Sequence, residues 1–140
     1  MKTLREAALL LVLAVMPALA TGLFHPKRPA WSSHAEELPR ATISQAQSWG
    51  AVVLWVDARS FETYQTGRIP GAVSLTMRDW ERQLPEFLQA WTPDRKVIVY
   101  CDGGSCQASE EVALRLKREL GLEDVTVLQE GWDAWRRAAR

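Results

Sequence analysis

The sequence predicts an α/β domain built on a parallel β-sheet with helices on both faces. Three apolar runs, at residues 51–57, 96–100 and 125–128, have the composition of strands that are buried on both sides. Segments with helical spacing separate these runs, and glycine or proline marks most of the boundaries between them. Regular alternation of strand and helix is typical of a sheet whose strands all run in one direction.

The first half of the domain supplies two strands and two helices. Residues 51–57 form a buried strand that ends in Asp57. Residues 60–67 form a short helix that Ser60 caps and Gly67 ends. Residues 71–75 are a short strand, and residues 78–91 have a helical pattern with a break near Pro85, since proline lacks the N–H that a helix interior requires.

The second half begins with the strand at residues 96–100. Apolar residues then recur with helical spacing, at Ala108, Val112, Ala113, Leu116 and Leu120, until Gly121 ends the helix. A strand at residues 125–128 and a helix at residues 132–140 complete the domain.

The 140 residues divide into three parts. Residues 1–24 begin with Lys2 and Arg5 and carry no charge from Ala7 onward, which is typical of a signal peptide cleaved after Ala20 or of an uncleaved membrane anchor. Residues 25–40 contain three prolines and no apolar period, so they indicate a tether. Residues 41–140 form the folded domain. We therefore expect an exported protein, periplasmic or otherwise outside the cytoplasm, with membrane attachment through residues 7–24 as one alternative.

The composition argues against two classes of function. The chain has 17 basic and 17 acidic residues, so it offers no excess of positive charge for nucleic acid. Both histidines, His25 and His34, lie in the tether, which argues against a metal site with histidine ligands in the domain. We expect neither a metal nor a cofactor.

The chemistry-bearing segment is "VIVYCDGGSC", residues 97–106, which contains both cysteines of the chain. Ligands of parallel sheets bind outside the carboxyl ends of the strands, and Cys101 comes directly after such an end. Cys101 and Cys106 could form a small disulfide or be small buried residues. Alternatively, Cys101 is a thiolate nucleophile.

The rest of the loop suits an anionic sulfur. A loop that leads into a helix near Gln107 directs backbone N–H groups and the positive end of the helix dipole at Cys101. Gly103 and Gly104 permit backbone conformations and close approaches that a side chain would block. Asp102, Gly103, Gly104, Ser105 and Gln107 are therefore candidates for a substrate-binding loop.

Three segments of the domain resemble, in order and spacing, the signatures of the rhodanese-like sulfurtransferase family. They are "VDARSFETYQTGRIPGAVSL", "VIVYCDGGSC" and "LQEGWDAW". The resemblance implies a three-layer α/β domain with a central parallel sheet. It also implies that Cys101 is a catalytic cysteine that carries sulfane sulfur as a persulfide, and that Gly104 is the loop glycine.

The chain departs from the family pattern at two positions. Arg68 stands where the family usually has histidine, and Cys106 stands where many active members have arginine at the end of the loop. Thiosulfate is a dianion that a guanidinium fork would bind, but the loop has no arginine and Asp102 adds a negative charge. The sequence thus favours a persulfide, a polysulfide or a thiol over thiosulfate as the reaction partner. The expected partners are a small sulfur donor and a thiol acceptor, or the thiol of a partner protein.

The resulting prediction is a sulfurtransferase with Cys101 as the nucleophile and Cys106 as a second catalytic cysteine. Asp57 and Arg59 are expected to form a structural ion pair that supports neighbouring loops. Two other functions stay open. Cys101 and Cys106 could cycle between dithiol and disulfide, or the domain could be a non-catalytic binding module.

Overall fold

The computed structural model describes residues 37–104 and 107–140, which belong to one compact unit, Glu36–Arg140. The predicted signal peptide or anchor and most of the tether lie outside the described residues. The strands are β1 (Arg40–Ala41), β2 (Val53–Asp57), β3 (Val73–Ser74), β4 (Lys96–Tyr100) and β5 (Val125–Leu128). The helices are α1 (Ile43–Ser48), α2 (Phe61–Thr66), α3 (Trp80–Ala90), α4 (Gln107–Leu120) and α5 (Gly131–Ala138), with a 3₁₀ turn at Gly50–Val52.

All five strands form one parallel sheet in the order β1-β5-β4-β2-β3. The predicted pair of buried parallel strands is confirmed, because β2 and β4 pair over five residues from Val53–Lys96 to Asp57–Tyr100. Strand β4 is central, with β5 on one side and β2 on the other. The residues that follow β4 therefore emerge at the middle of the carboxyl edge of the sheet.

Side chains alternate along the strands and bury two separate cores. The first core contains Leu54 and Val56 of β2 and Val97 and Val99 of β4, and helices α3 and α4 cover it. The second core contains Val53, Ile98, Tyr100 and Leu128, and it packs against α1 and against the tryptophans of α5. The sheet is thus the middle layer of three, as the sequence predicts.

The structure differs from the sequence prediction at the start of the domain. The boundary drawn before residue 41 falls inside β1, and Leu38 is buried in the first core, so the last residues assigned to the tether belong to the fold. Helix α1 had no predicted counterpart. Its signal is the capping box of Thr42 and Gln45, in which each residue accepts a hydrogen bond from the backbone N–H of the other.

The predicted break near Pro85 is wrong, because α3 continues through this residue to Ala90. A proline inside a helix removes one backbone hydrogen bond. Burial of Trp80 before it and Phe87 after it holds both halves of α3 against the same core.

Within residues 37–104 and 107–140, no helix has the length and apolar character needed to cross a membrane.

Candidate active site

Cys101 is the first residue after the central strand β4, and only 4% of it is exposed. It therefore lies just inside the carboxyl edge of the sheet. The structure describes Cys101 as disulfide-bonded. The other cysteine of the sequence, Cys106, and its neighbour Ser105 lie outside the described residues.

The first turn of α5 holds the backbone that follows β4. The N–H of Trp132 donates to the carbonyl of Cys101 at 2.6 Å, and the N–H of Asp133 donates to the carbonyl of Asp102 at 3.0 Å. Gly131 has a positive φ of 47°, and a Cβ at this position would overlap the carbonyl oxygen of Cys101. The positive φ and the lack of space for a Cβ both require glycine at position 131. The position of the cysteine thus depends on the last helix of the domain.

The two glycines of the loop are needed for different reasons. A Cβ on Gly103 would lie 2.8 Å from a carboxylate oxygen of Asp133, so Gly103 allows the close approach of α5. Gly104 has open space around it but a φ of 65°, so its requirement is conformational. Both observations agree with the reasons that the sequence suggested for glycine here.

Helix α4 contributes one side chain directly to the sulfur. Ser109 lies in the first turn of α4 and is 2% exposed. Its hydroxyl donates to the Sγ of Cys101 at 3.6 Å, which is within hydrogen-bonding range for a sulfur acceptor. Gln107, in contrast, is exposed, and its amide donates to Glu111 at 2.8 Å rather than to the loop.

Asp57 and Arg59 form the predicted ion pair, and it is fully buried. The Nε of Arg59 lies 2.9 Å from Oδ1 of Asp57, and Nη2 lies 2.6 Å from Oδ2. The same Nη2 donates to the carbonyl of Gly67 at 2.6 Å, and the hydroxyl of Tyr100 donates to Asp57 at 2.8 Å. A buried carboxylate that has lost its contact with water needs hydrogen-bond donors and a positive charge nearby, and Arg59 and Tyr100 supply them to Asp57.

This buried network reaches the cysteine loop through Arg59. The guanidinium lies 4.7 Å from the ring centre of Trp132, and its Nη1 lies 3.5 Å from the carboxylate of Asp102. The side chain of Asp102 is 73% exposed and that of Arg59 is 2% exposed, so this contact lies between the buried network and solvent. Arg59 therefore connects the end of β2 with both the loop and α5.

Two groups of the network have pKa values shifted from the ordinary range. Burial lowers the pKa of Arg59, but its hydrogen bond to Asp57 and the charge of Asp57 outweigh burial and leave it raised. Burial, followed by the charge of Asp57, raises the pKa of the Tyr100 hydroxyl. Arg59 is therefore a permanent cation, and Tyr100 a permanent hydrogen-bond donor over the physiological range.

A cleft of about 540 Å³ opens beside this network at the carboxyl edge of the sheet. It is lined by residues 58–62 after β2, residues 76–79 after β3, Arg82, Ala108 and Glu111. The exposed side chains of Phe61 and Met77 add apolar surface to the cleft. Arg59 in the wall of the cleft contacts Asp102, and Ala108 lies in the first turn of α4, so the cleft adjoins residues that border the cysteine loop.

Within the part of the chain that the structure describes, no group of three or more histidine, cysteine, aspartate or glutamate residues could hold a metal ion. The described part of the site contains Cys101, the buried hydroxyl of Ser109 at its sulfur, and the N–H groups of Trp132 and Asp133, which bind the carbonyls of Cys101 and Asp102.

Sequence reasoning missed Ser109 and the role of Gly131. Ser109 shares a helix face with Val112, Ala113 and Leu116, and a polar residue on this apolar face was an available signal. The predicted closing helix is present as α5, and its tryptophans Trp132 and Trp135 pack against the second core. However, nothing in the local pattern showed that its N–H groups would bind the loop after β4.

A parallel sheet between helical layers, with a cysteine directly after its central strand, defines a class of α/β domain with a thiol at the carboxyl edge. The rhodanese-like domain family matches residues 40–138. The chain belongs to this family.

The HTH-type transcriptional regulator Rv0324 of Mycobacterium tuberculosis is 35% identical over 106 residues, which are 76% of this chain and 44% of the regulator. The chain thus spans less than half the length of this relative.

Solved structures share the fold. RPA3614 of Rhodopseudomonas palustris is 26% identical with a TM-score of 0.54, over 75% of this chain and 84% of that one. A thiosulfate sulfurtransferase of Pseudomonas aeruginosa is 23% identical with a TM-score of 0.54, over 76% of this chain and 20% of that one.

Proposed function

We propose that this protein is a sulfurtransferase that carries sulfane sulfur as a persulfide on Cys101. The observation that carries the proposal is the position of Cys101 at the carboxyl end of the central strand, with a hydroxyl donor at its sulfur. Membership of the rhodanese-like family supports the reaction class. A persulfide is anionic, and donors around the sulfur stabilise such a charge.

The reaction has two displacement steps. The thiolate of Cys101 attacks the sulfane sulfur of the donor, the donor's S–S bond breaks, and its leaving group departs with the electron pair. The acceptor thiolate then attacks the outer sulfur of the Cys101 persulfide. Cys101 leaves as a thiolate, which regenerates the starting state.

Persulfides and polysulfides are the donors that the charges favour. Arg59 is the guanidinium beside the loop, but its N–H groups already contact Asp57, Gly67 and Asp102. A dianion such as thiosulfate would have to compete with these partners. The exposed carboxylate of Asp102 would also repel it. The acceptor is a small thiol or the thiol of a partner protein.

Intact mass of the reduced protein, after anaerobic incubation with glutathione persulfide or with thiosulfate, tests the proposal. We expect the mass of one added sulfur with the persulfide and less or none with thiosulfate. Cys101→Ser should abolish loading. Cys106→Ser should keep loading and accumulate the persulfide, since a thiol at position 106 could attack Cys101 and expel hydrosulfide. Loading of Cys101→Ser at the wild-type level would contradict the proposal.

A second candidate is a thiol–disulfide protein, which the disulfide bond of Cys101 favours. In this case the cysteines exchange electrons with an external dithiol, and no sulfur atom is carried. Redox titration against glutathione buffers distinguishes the two. A reversible dithiol–disulfide change without any sulfur-loaded form would support the redox function.

A binding module is the third candidate, because the Mycobacterium tuberculosis relative is a transcriptional regulator. The sulfur-loading and redox experiments would both be negative for such a module.

Export is a further part of the proposal. Residues 1–24 have a basic start and no charge from Ala7 to Phe24. Fusion of residues 1–40 to a reporter that is active only outside the cytoplasm should give an active reporter. A soluble, inactive reporter in the cytoplasm would reject export without affecting the proposed chemistry.

A further inference from the structure

Ser109 is a polar residue on the apolar face of α4. Its neighbours on this face, Val112, Ala113 and Leu116, are completely buried in the first core. A buried hydroxyl is unfavourable unless it has hydrogen-bond partners, and alanine would fit both the helix and the core better. The hydrogen bond from Ser109 to the sulfur of Cys101 gives a serine at this position a chemical reason.

We propose that Ser109 is a catalytic residue of sulfur transfer, whose hydroxyl stabilises the negative charge on the sulfur of Cys101. The inference rests on the proposed function and assigns a role to a side chain of the same site. In the structure the acceptor is the sulfur of a disulfide-bonded cysteine. Hydrogen bonds to charged groups are stronger than those to neutral groups, so the bond from Ser109 gains strength when reduction leaves a thiolate on Cys101.

The hydroxyl acts in both displacement steps. In the first step it increases the fraction of Cys101 that is thiolate and can attack the donor. In the second step the acceptor thiolate bonds to the outer sulfur, the S–S bond to Cys101 breaks, and the electron pair remains on Sγ. Ser109 donates to this leaving thiolate and keeps its own proton. The bond is thus strongest where charge develops.

Other charged groups lie around the cysteine loop and must stay constant in a test. Asp102 is the next residue along the loop, and Arg59 contacts it from the end of β2. Asp133 of α5 lies against Gly103, and Glu110 follows Ser109 on α4. Substitution of Ser109 by alanine changes none of these charges.

The test measures the rate at which iodoacetamide alkylates Cys101 as a function of pH. The reduced full chain carries Cys106→Ser, so that Cys101 is its only thiol. We expect Ser109→Ala to raise the pH of half-maximal reactivity by about one unit, which is roughly a tenfold loss of thiolate near neutral pH. Ser109→Thr, which keeps the hydroxyl, should restore most of the reactivity.

Ser74→Ala is the matched control. Ser74 is also buried, but it lies on β3, and its hydroxyl accepts from the side-chain amide of Gln83 at 2.9 Å. Its alkylation profile should equal that of the parent protein. A Ser109→Ala profile that overlaps the parent profile, with unchanged thermal unfolding, would overturn the inference. So would equal shifts for Ser109→Ala and Ser74→Ala.

The two proposals can fail separately. A shifted profile together with no sulfur loading on Cys101 would reject the sulfurtransferase function and keep the contact between Ser109 and the thiolate. Normal sulfur loading of Cys101 with an unshifted alkylation profile would keep the sulfurtransferase function and reject the role of Ser109. If both hold, Ser109→Ala should also release its persulfide to a thiol acceptor more slowly than Ser109→Thr does.

Discussion

The backbone N–H of Trp132 donates to the carbonyl of Cys101 at 2.6 Å, although the two residues belong to different elements. The contact fixes the first residue of the loop from α5, on the opposite side of the sheet from α4. Ser109 of α4 reaches the same cysteine through its sulfur. The candidate nucleophile is therefore held from both helical layers.

Gly131→Ala should lower the free energy of unfolding and should also slow the alkylation of Cys101. Its φ of 47° is strained for alanine, and the added Cβ would overlap the carbonyl of Cys101. Gly121→Ala is the matched control, because Gly121 has a φ of 66° and open space around it. Each variant should lose about 1–3 kcal/mol in urea unfolding from the backbone conformation. Only Gly131→Ala should also slow alkylation of Cys101. Equal alkylation rates in the two variants would show that α5 does not position the loop.

Removal of Arg59 should leave the buried charge of Asp57 without its main partner. Arg59→Met is therefore expected to lose about 3–5 kcal/mol of unfolding free energy. Adding Asp57→Asn to this variant removes the unpaired charge, so the double variant should be more stable than Arg59→Met alone. Urea unfolding at neutral pH measures both. Arg82→Met is the control, since Arg82 pairs with Asp79 at the surface and should change stability little. A double variant that is less stable than Arg59→Met would contradict this account.

The stability of the domain should fall above about pH 10, where an unfolded tyrosine ionises. Burial and the charge of Asp57 raise the pKa of Tyr100, and burial raises the pKa of Tyr64. The unfolded chain therefore loses protons that the folded one keeps, and the unfolding free energy decreases with pH in this range. Each of these two tyrosines lowers the unfolding free energy by up to about 1.4 kcal/mol per pH unit in this range. Tyr100→Phe should be less stable at pH 8 but have a shallower decline. Identical slopes for both proteins would refute the contribution of Tyr100.

Asp102→Asn should change the charge preference of Cys101. The carboxylate of Asp102 is exposed beside the loop, so it repels anionic reagents more than neutral ones. We expect the ratio of alkylation rates, anionic iodoacetate to neutral iodoacetamide, to rise several-fold and the effect to shrink with added salt. Glu123→Gln, an exposed change after α4, should leave the ratio unchanged. A constant ratio in Asp102→Asn would remove the electrostatic argument against thiosulfate.

The strands and most helices could be predicted because their signals are local. Residues 51–57 and 96–100 are apolar runs, and period and composition identified them as buried parallel strands. The start of the domain was drawn at residue 41, one residue into β1, because β1 has only two residues and pairs with a strand far along the chain. A short edge strand leaves almost no periodic pattern.

The candidate site was predictable only in part. Cys101 and the two loop glycines stand out because of their position after a strand. The contacts of Ser109 and Gly131 depend on how two helices pack across the sheet, which local patterns do not specify. Pro85 shows the opposite case, in which a strong local signal is overruled by burial of Trp80 and Phe87 on either side.

The dependence of the loop on residues 131–138 has a consequence for biosynthesis. Chains are made from the N-terminus at roughly 5–20 residues per second, so Cys101 is synthesised a few seconds before the helix that holds its carbonyl. In this interval the thiol lies on a nascent chain without its anchoring contacts. The geometry of the nucleophile is thus completed among the last events of folding, after translation has reached α5.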